Sequence, residues 1–440
     1  MTGIDAPTDR AFDRSPHVSP SRYLTHDIGP VGGTLKARPE DFIVEELPAY
    51  QPCGEGEHLY LFLEKRGLST LVMVREIARH FGVRESAVGY AGLKDKRAIT
   101  RQLVSVHLPG RTHDEFPAIE DDRFRVLWVD RHTNKLRRGH LEGNRFVIRL
   151  RDVEATAALP AMRVLNELAR VGVPNRLGEQ RFGALQCNHL VGRAIVLGDD
   201  EQVIRQLLFP DGVVFESTAE ARELCAQEAW KEALALFSRS ALAEHTVCRA
   251  LARGASPAKA VAAIPNHERQ YFVSAFQSAV FNAVLDKRLD AGSLDTLVEG
   301  DLAFKHENGA VFDVAAEDVS SAQTRERLGR IEISPSGPLW GASMKRAGGR
   351  VGAVEIDALA RFGVTIDEID AYSNRSRHNL PGARRPLRVP LTNHDVDGGM
   401  DEHGHYVRLA FELPRGAFAT SVMQEVVKAS NGDDSSGARP

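Results

Sequence analysis

A chain of 440 residues with 42% apolar and 26% charged side chains is long enough for two or three domains, and its composition is ordinary for a soluble globular protein. It offers no run near the roughly 18 apolar residues of a membrane span and no apolar stretch in residues 1–30 resembling a secretion signal, so a cytoplasmic protein without a membrane partner is expected. The net charge of −4 excludes a uniformly basic nucleic-acid binder, and Cys53, Cys187, Cys225 and Cys248 form no C-x-x-C pair, which disfavours a zinc site or a disulfide framework.

Residues 1–30, rich in Pro, Ser, Thr and Asp, are expected to form a loose tail, as are residues 430–440. Alternation predicts a short strand over 41–46 and a strand covered on both faces where Leu59, Leu61 and Leu63 interleave with Tyr60, Phe62 and Glu64. Ser69 then opens a helix with Leu71, Val74, Ile77, Ala78 and Phe81 on one stripe, stopped by Gly82. Strands follow over 102–108, 124–129 and 145–150; in the last, Phe146, Ile148 and Leu150 share one face while Arg145 and Arg149 share the other.

An amphipathic helix over 158–171 ends at Gly172-Val173-Pro174-Asn175, and the texture beyond is mostly helical. Ser217-Thr218-Ala219-Glu220 reads as a capping box before a helix of about 20 residues. Phe272, Phe276, Val280 and Val284 line one face of another helix. Strand texture returns near 297–304 and 311–314, and Val407, Leu409, Phe411 and Leu413 alternate before a closing helix at about 418–429. A return to the first texture implies a return to the first sheet. The expected fold is α/β (α+β), a mixed or antiparallel sheet interrupted by a mostly helical insert. The expected boundaries are 31–171 and 385–429 for the sheet domain and 172–384 for the insert.

Between these elements lies Gly89-Tyr90-Ala91-Gly92-Leu93-Lys94-Asp95-Lys96-Arg97, where one carboxylate stands among cations on a glycine-bearing loop. Alone, this is either a solvated charged loop or an anion site with one reactive acid. Two further stretches concentrate positive charge. From 131 to 151 there are seven basic residues (Arg131, Lys135, Arg137, Arg138, Arg145, Arg149, Arg151) against Glu142, and from 375 to 388 five arginines and no acid. Both give phosphate a place to sit, but the second reads first as a hinge joining the insert to the sheet domain, with RNA contact as a secondary role. His394, Asp395, Asp397, Asp401, His403 and His405 resemble metal ligands by type, but Gly398-Gly399 among them favours a solvated hairpin loop, and no metal is expected.

The block Gly92-Leu93-Lys94-Asp95-Lys96-Arg97-Ala98-Ile99-Thr100-Arg101-Gln102 resembles the Gly-x-Lys-Asp-x-x-Ala-x-Thr-x-Gln signature of the TruD family of tRNA pseudouridine synthases. Further matches follow in the family's order at 35–42, 54–58, 141–146, 172–175, 180–183 and 416–421, so the resemblance covers about residues 35–425. Arg176-Leu177 departs from it, standing where the family usually carries an aromatic pair, and the chain looks longer than typical bacterial members around 188–265.

The resemblance implies a pseudouridine-synthase core with an inserted TRUD domain. It implies isomerisation of uridine to pseudouridine, at position 13 of tRNA, without a cofactor. That chemistry needs a carboxylate, a cation to keep it ionised, an aromatic wall for the flipped base and exclusion of water. By resemblance Asp95 is the nucleophile, which attacks the ribose or assists glycal formation, and Lys36 is its orienting cation. Phe146 is the stacking wall, although its alternation with Ile148 and Leu150 alone reads as a core position. Phe42 and Phe418 are implied to contact the uridine. Asn144 carries an amide donor and acceptor suited to the edge of uracil, and equally suits a turn after Gly143. Lys94 either contacts phosphate or is solvated, and Arg137 and Arg138 are expected to hold phosphate. A monomer acting on tRNA, with other structured RNAs as further substrates, is expected. The competing readings are a non-catalytic RNA-binding or RNA-chaperone protein and a glycoside hydrolase; the latter lacks a visible second carboxylate.

Overall fold

The computed structural model describes residues 12–111, 115–116, 119, 121–210, 216–238, 240–375 and 380–428. It divides into two compact units, Thr25–Val173 with Val389–Pro440, and Met1–Leu24 with Pro174–Arg388.

The first unit is built on one eight-stranded sheet. Its strands are β1 (Phe42–Pro48), β2 (His58–Arg66), β3 (Val88–Tyr90), β4 (Ile99–His107), β5 (Phe124–His132), β6 (Leu141–Arg151), β7 (Thr392–Asp401) and β8 (Gly404–Pro414). The order is β7-β8-β6-β1-β4-β2-β5, with β3 also paired to β4. β1 and β4 run parallel and the other pairs antiparallel, so the sheet is mixed. Among the described residues three α-helices belong to it: α1 (Thr70–His80), α2 (Ala158–Val171) and α3 (Ala419–Val427). Ser69 caps α1 as its sequence suggests, its side chain accepting from the Val72 N–H.

Period-two alternation sorts the strands into two faces. On one, the registers set Arg145 beside Glu45 and Glu45 beside Arg101; Arg101 donates to both Glu45 (3.0 Å) and Glu64 (2.8 Å), an alternating row of charge. On the other, Phe146 lies beside Val44, Val44 beside Thr100 and Thr100 beside Lys65. The next row on this face holds Asn144, opposite Glu46, and Gln102, opposite Leu63. Leu59, Leu61 and Leu63 pack here against Met73, Val74, Ile77 and Ala78 of α1.

The expected hairpin of 392–414 is present, but Gly398-Gly399 is not its turn. Both glycines lie within β7, paired with Val407 and Tyr406, and a Cβ on Gly398 would meet the Ala155 carbonyl oxygen at 2.2 Å. The turn falls at 402–403, and several charged residues of the hairpin are partnered. Asp401 accepts from Arg151 (2.7 Å), and His394 bonds Asn166 (2.8 Å).

The second unit carries helices packed around Asn266–Asp290 and a four-stranded sheet of Ala383–Pro386, Ile333–Leu339, Leu302–Lys305 and Val311–Asp313, in that order. The helix expected to run about 20 residues from Ala219 is two shorter ones, Ala219–Ala226 and Trp230–Leu236, broken where Glu228 takes φ 59°. Thr218 does not cap it: its hydroxyl accepts from Arg222 Nε at 2.9 Å. The Asn266–Asp290 helix buries Phe272, Phe276, Val280 and Val284, but also Gln277, Asn282 and Asp286. Arg176-Leu177 docks on those polar side chains. Asn282 accepts from the Leu177 N–H (3.0 Å) and donates to its carbonyl (2.9 Å), while Arg176, 2% exposed, pairs with Asp286.

The described part of the expected N-terminal tail is tied down in both units. His17 bridges Asp13 and Asp286 at 2.9 Å each, and Thr25 bonds the Glu425 carboxylate at 2.8 Å through its hydroxyl. Residues 1–11 and the expected tail at 430–440 lie outside the described residues.

Candidate active site

The loop between β3 and β4 carries the Gly-x-Lys-Asp block. Several bonds hold it to the sheet and to α1. The Lys94 N–H donates to Thr70 Oγ1 (3.0 Å), whose hydroxyl donates to Gln102 Oε1 (3.2 Å). Lys65 donates through Nζ to the carbonyl oxygens of Leu68 (2.6 Å) and Asp95 (2.9 Å). The Ala98, Thr100 and Gln102 side chains of the block are fully buried.

The Asp95 carboxylate accepts from Lys36 Nζ at 2.6 Å, both side chains being about one-third exposed. Burial pushes the Asp95 carboxyl up, but the Lys36 hydrogen bond and charge, with the Arg97 and Lys96 N–H groups, outweigh it and hold the group below its ordinary 3.8. Lys36 adopts φ 54°, a left-handed conformation that costs a non-glycine residue about 1–3 kcal/mol. Its ammonium also lies 4.3 Å from the centre of the Phe42 ring. Phe42 meets Phe146 edge-on at 6.4 Å, and Phe146 packs on Phe411 at 5.6 Å. Phe146 is 7% exposed: it is a core residue and, at the same place, part of the aromatic group under Lys36.

Lys94 is neither a phosphate contact nor solvated. Its side chain is 5% exposed, with Nζ 2.9 Å from Glu46 and donating to Asn144 Oδ1 at 2.6 Å. A lysine enclosed in this way has a carboxylate to neutralise it and no reach to an outside phosphate. Asn144 is a strand residue of β6 rather than a turn residue. The structure thus brings together Asp95, Lys36, Phe42, Phe146, Lys94 and Asn144.

Three other candidates share no hydrogen bond, ion pair or ring contact with that cluster among the described residues. Phe418 is 41% exposed at the N-terminus of α3 and meets no other ring among the described residues. Arg137 and Arg138 are exposed on the loop before β6. That loop leans on the segment leading into the block: the Gly139 N–H donates to the Ala91 carbonyl (2.8 Å), and Arg138 donates to the Tyr90 hydroxyl (2.8 Å). Gly89 permits the approach, since a Cβ there would meet the Leu136 carbonyl oxygen at 2.3 Å.

The other basic positions are largely consumed inside the fold. Arg131 donates to the Gly56 carbonyl, Lys135 to the Ser86 carbonyl, and Arg151 pairs with Asp41 and Asp401. In the second unit Arg384 forks onto Glu355, Arg385 bonds Asn175 and Arg388 bonds Ser334, while Arg375 donates to the Val196 carbonyl. Those four arginines are structural rather than a phosphate patch; Arg377 lies outside the described residues.

Two site residues went unread in the sequence, Glu46 and Lys65. Burial raises the Glu46 carboxyl pKa against the opposing Lys94 charge, and burial lowers that of Lys65 to about 8. Both occupy inward positions of alternating strands, a signal that was available.

A family model described as tRNA pseudouridine synthase D (TruD) matches residues 20–426. The chain is 43% identical to the tRNA pseudouridine synthase D of Geobacter metallireducens over 414 residues, 94% of this chain and 99% of the relative. It is 38% identical to that of Thermus thermophilus over 412 residues, 93% of each chain. A crystal structure from Methanosarcina mazei described as a TruD protein superposes with TM-score 0.79 at 28% identity, covering 94% of this chain and 98% of that one.

Proposed function

Because the chain belongs to the TruD family of tRNA pseudouridine synthases, we propose that it isomerises uridine to pseudouridine in tRNA, at position 13, with Asp95 acting on the ribose. The observation that carries the residue assignment is the Asp95–Lys36 pair at 2.6 Å, with the Lys36 ammonium over the Phe42 ring, which in turn meets Phe146 edge-on. Breaking the N-glycosidic bond and rejoining the base through C5 needs no net redox change and no external group. It needs an ionised carboxylate at the sugar, held in place while the base turns. Lys36 supplies the charge, Lys65 holds the backbone of the acid, and Phe42 with Phe146 forms the apolar wall beside it. Phe418, exposed at the start of α3, is proposed as a further contact to the uridine. We further propose that the protein works as a cytoplasmic monomer, with other structured RNAs as additional substrates.

Mapping pseudouridine in cellular tRNA with and without the gene tests the site: position 13 should lose its modification, and an unchanged map would sink the assignment. The pH profile tests the acid. Asp95 is held below 3.8, so it stays ionised as pH falls, and single-turnover rate should show no Asp95 titration between pH 7 and about pH 5. A limb in that window that moves in Asp95→Glu would show Asp95 titrating above its ordinary range and would contradict the depressed value.

Arg137 and Arg138 are proposed to hold the phosphate backbone. Replacing both with alanine should raise KM more than it lowers kcat, because such contacts serve ground and transition states alike. It should also reduce the salt slope of binding by roughly one to two units. An unchanged slope would mean the RNA path lies elsewhere.

A further inference from the structure

Glu46 and Lys94 form a charged pair inside the sheet domain that touches neither the reacting carboxylate nor solvent. Among the described residues its one side-chain partner outside the pair is Asn144. Lys94 Nζ donates to Asn144 Oδ1 at 2.6 Å, and an ammonium is a donor only, so the amide must turn its oxygen toward the lysine. Reversing the amide would oppose NH2 to NH3+. The lysine cannot swing away, because Glu46 Oε2 lies 2.9 Å from Nζ and the Lys94 N–H is bound to Thr70. Glu46 is held in turn on the Leu103 N–H at 3.4 Å. The Asn144 main chain is fixed too, between Glu46 of β1 and Leu413 of β8. What remains is Nδ2, which has no hydrogen-bond partner among the described residues. Asn144 lies two positions from Phe146, on the same face of β6.

Resting on the pseudouridine-synthase reading, we propose that the Glu46–Lys94 pair locks Asn144 as a hydrogen-bond donor toward the 4-position of the flipped base, so that the site accepts uracil and rejects cytosine. Uracil presents a carbonyl oxygen there and cytosine an amino group. A locked donor meets an acceptor in the first case and a second donor in the second. An unlocked asparagine would flip and serve both bases, so the charged pair acts as a positioning device for specificity.

The test uses Asp95→Asn protein, which removes turnover, and two tRNA transcripts differing only in U or C at the modified position. The Asp95→Asn protein should bind the U transcript about tenfold or more tighter than the C transcript. Adding Glu46→Gln and Lys94→Met removes both buried charges together, which leaves no unpaired ion and lets the protein fold. In that triple variant the U preference should shrink to within about threefold, with C binding gaining as U binding falls. Parallel loss for both transcripts, or an unchanged ratio, would show a merely structural pair or a contact to the 2-carbonyl, and overturns the proposal. If circular dichroism shows the triple variant unfolded, Asp95→Asn/Glu46→Gln/Lys94→Gln decides, since it strands no charge and a glutamine at 94 offers an acceptor as well as a donor and releases the lock. Wild-type conversion of the U transcript is measured alongside. Its absence sinks the functional reading, whereas conversion with an unchanged ratio sinks only the specificity proposal.

Discussion

Asp95→Asn should leave folding and tRNA affinity near wild type while slowing pseudouridine formation by several orders of magnitude. The amide is nearly isosteric and still accepts a hydrogen bond from Lys36, so the loop keeps its contacts to Lys65 and Thr70. It carries no negative charge, however, and cannot act on the ribose as an anion. The loss therefore falls on the chemical step. Lys36→Met should cost less, about a hundredfold, because the acid remains but is poorly aimed. The ordering of the two variants matters: a Lys36 variant weaker than the Asp95 variant would place the reacting group on the lysine.

Arg151→Met should produce the largest loss of stability among single substitutions near the site, about 3–5 kcal/mol. Arg151 is 5% exposed and donates through Nε (3.0 Å) and Nη2 (2.7 Å) to Asp41, which is fully buried, and through Nη1 (2.7 Å) to Asp401. Removing the guanidinium strands the Asp41 carboxylate without a counter-charge. Asp41 directly precedes Phe42, so partial unfolding there would loosen the aromatic wall as well. The Arg151 hydrogen bonds hold the Asp401 carboxyl down at about 2, against an ordinary 3.8. A depressed folded value means stability present above 3.8 and lost as pH falls toward 2; the variant lacks that contribution from the start, so its deficit against wild type should narrow across that window. Urea titrations at pH 7 and at about pH 3 measure both effects. A midpoint within error of wild type at pH 7 would show that Asp41 finds another partner.

Period-two alternation made most of the sheet domain legible. It placed Phe146, Ile148 and Leu150 on one face and Arg145 with Arg149 on the other, and that is how β6 lies. The same rule carried further would have found Glu46 and Lys65. Phe42 and Val44 point inward, so Glu46 must as well, and Leu59, Leu61 and Leu63 put Lys65 inward in the same way. A charge at an inward position demands a buried partner, and the sequence alone does not say which residue supplies it. That is why Lys94 was read as a surface cation: its partner Glu46 is 48 positions away along the chain. The basic runs misled for a related reason. Charge density along a chain does not distinguish Arg137, which is exposed, from Arg384, which closes on a buried Glu355. The helix from Ala219 was overextended because nothing in the composition marks Glu228 as the residue that turns left-handed.

The most direct measurement is pseudouridine formed in a single turnover on an unmodified tRNA transcript, with purified wild-type and Asp95→Asn proteins side by side in EDTA. The account predicts pseudouridine at one position, 13, with the wild type and none above background with Asp95→Asn, at equal occupancy of tRNA. Comparable conversion by both proteins, or tight binding by the wild type with no conversion, would contradict it.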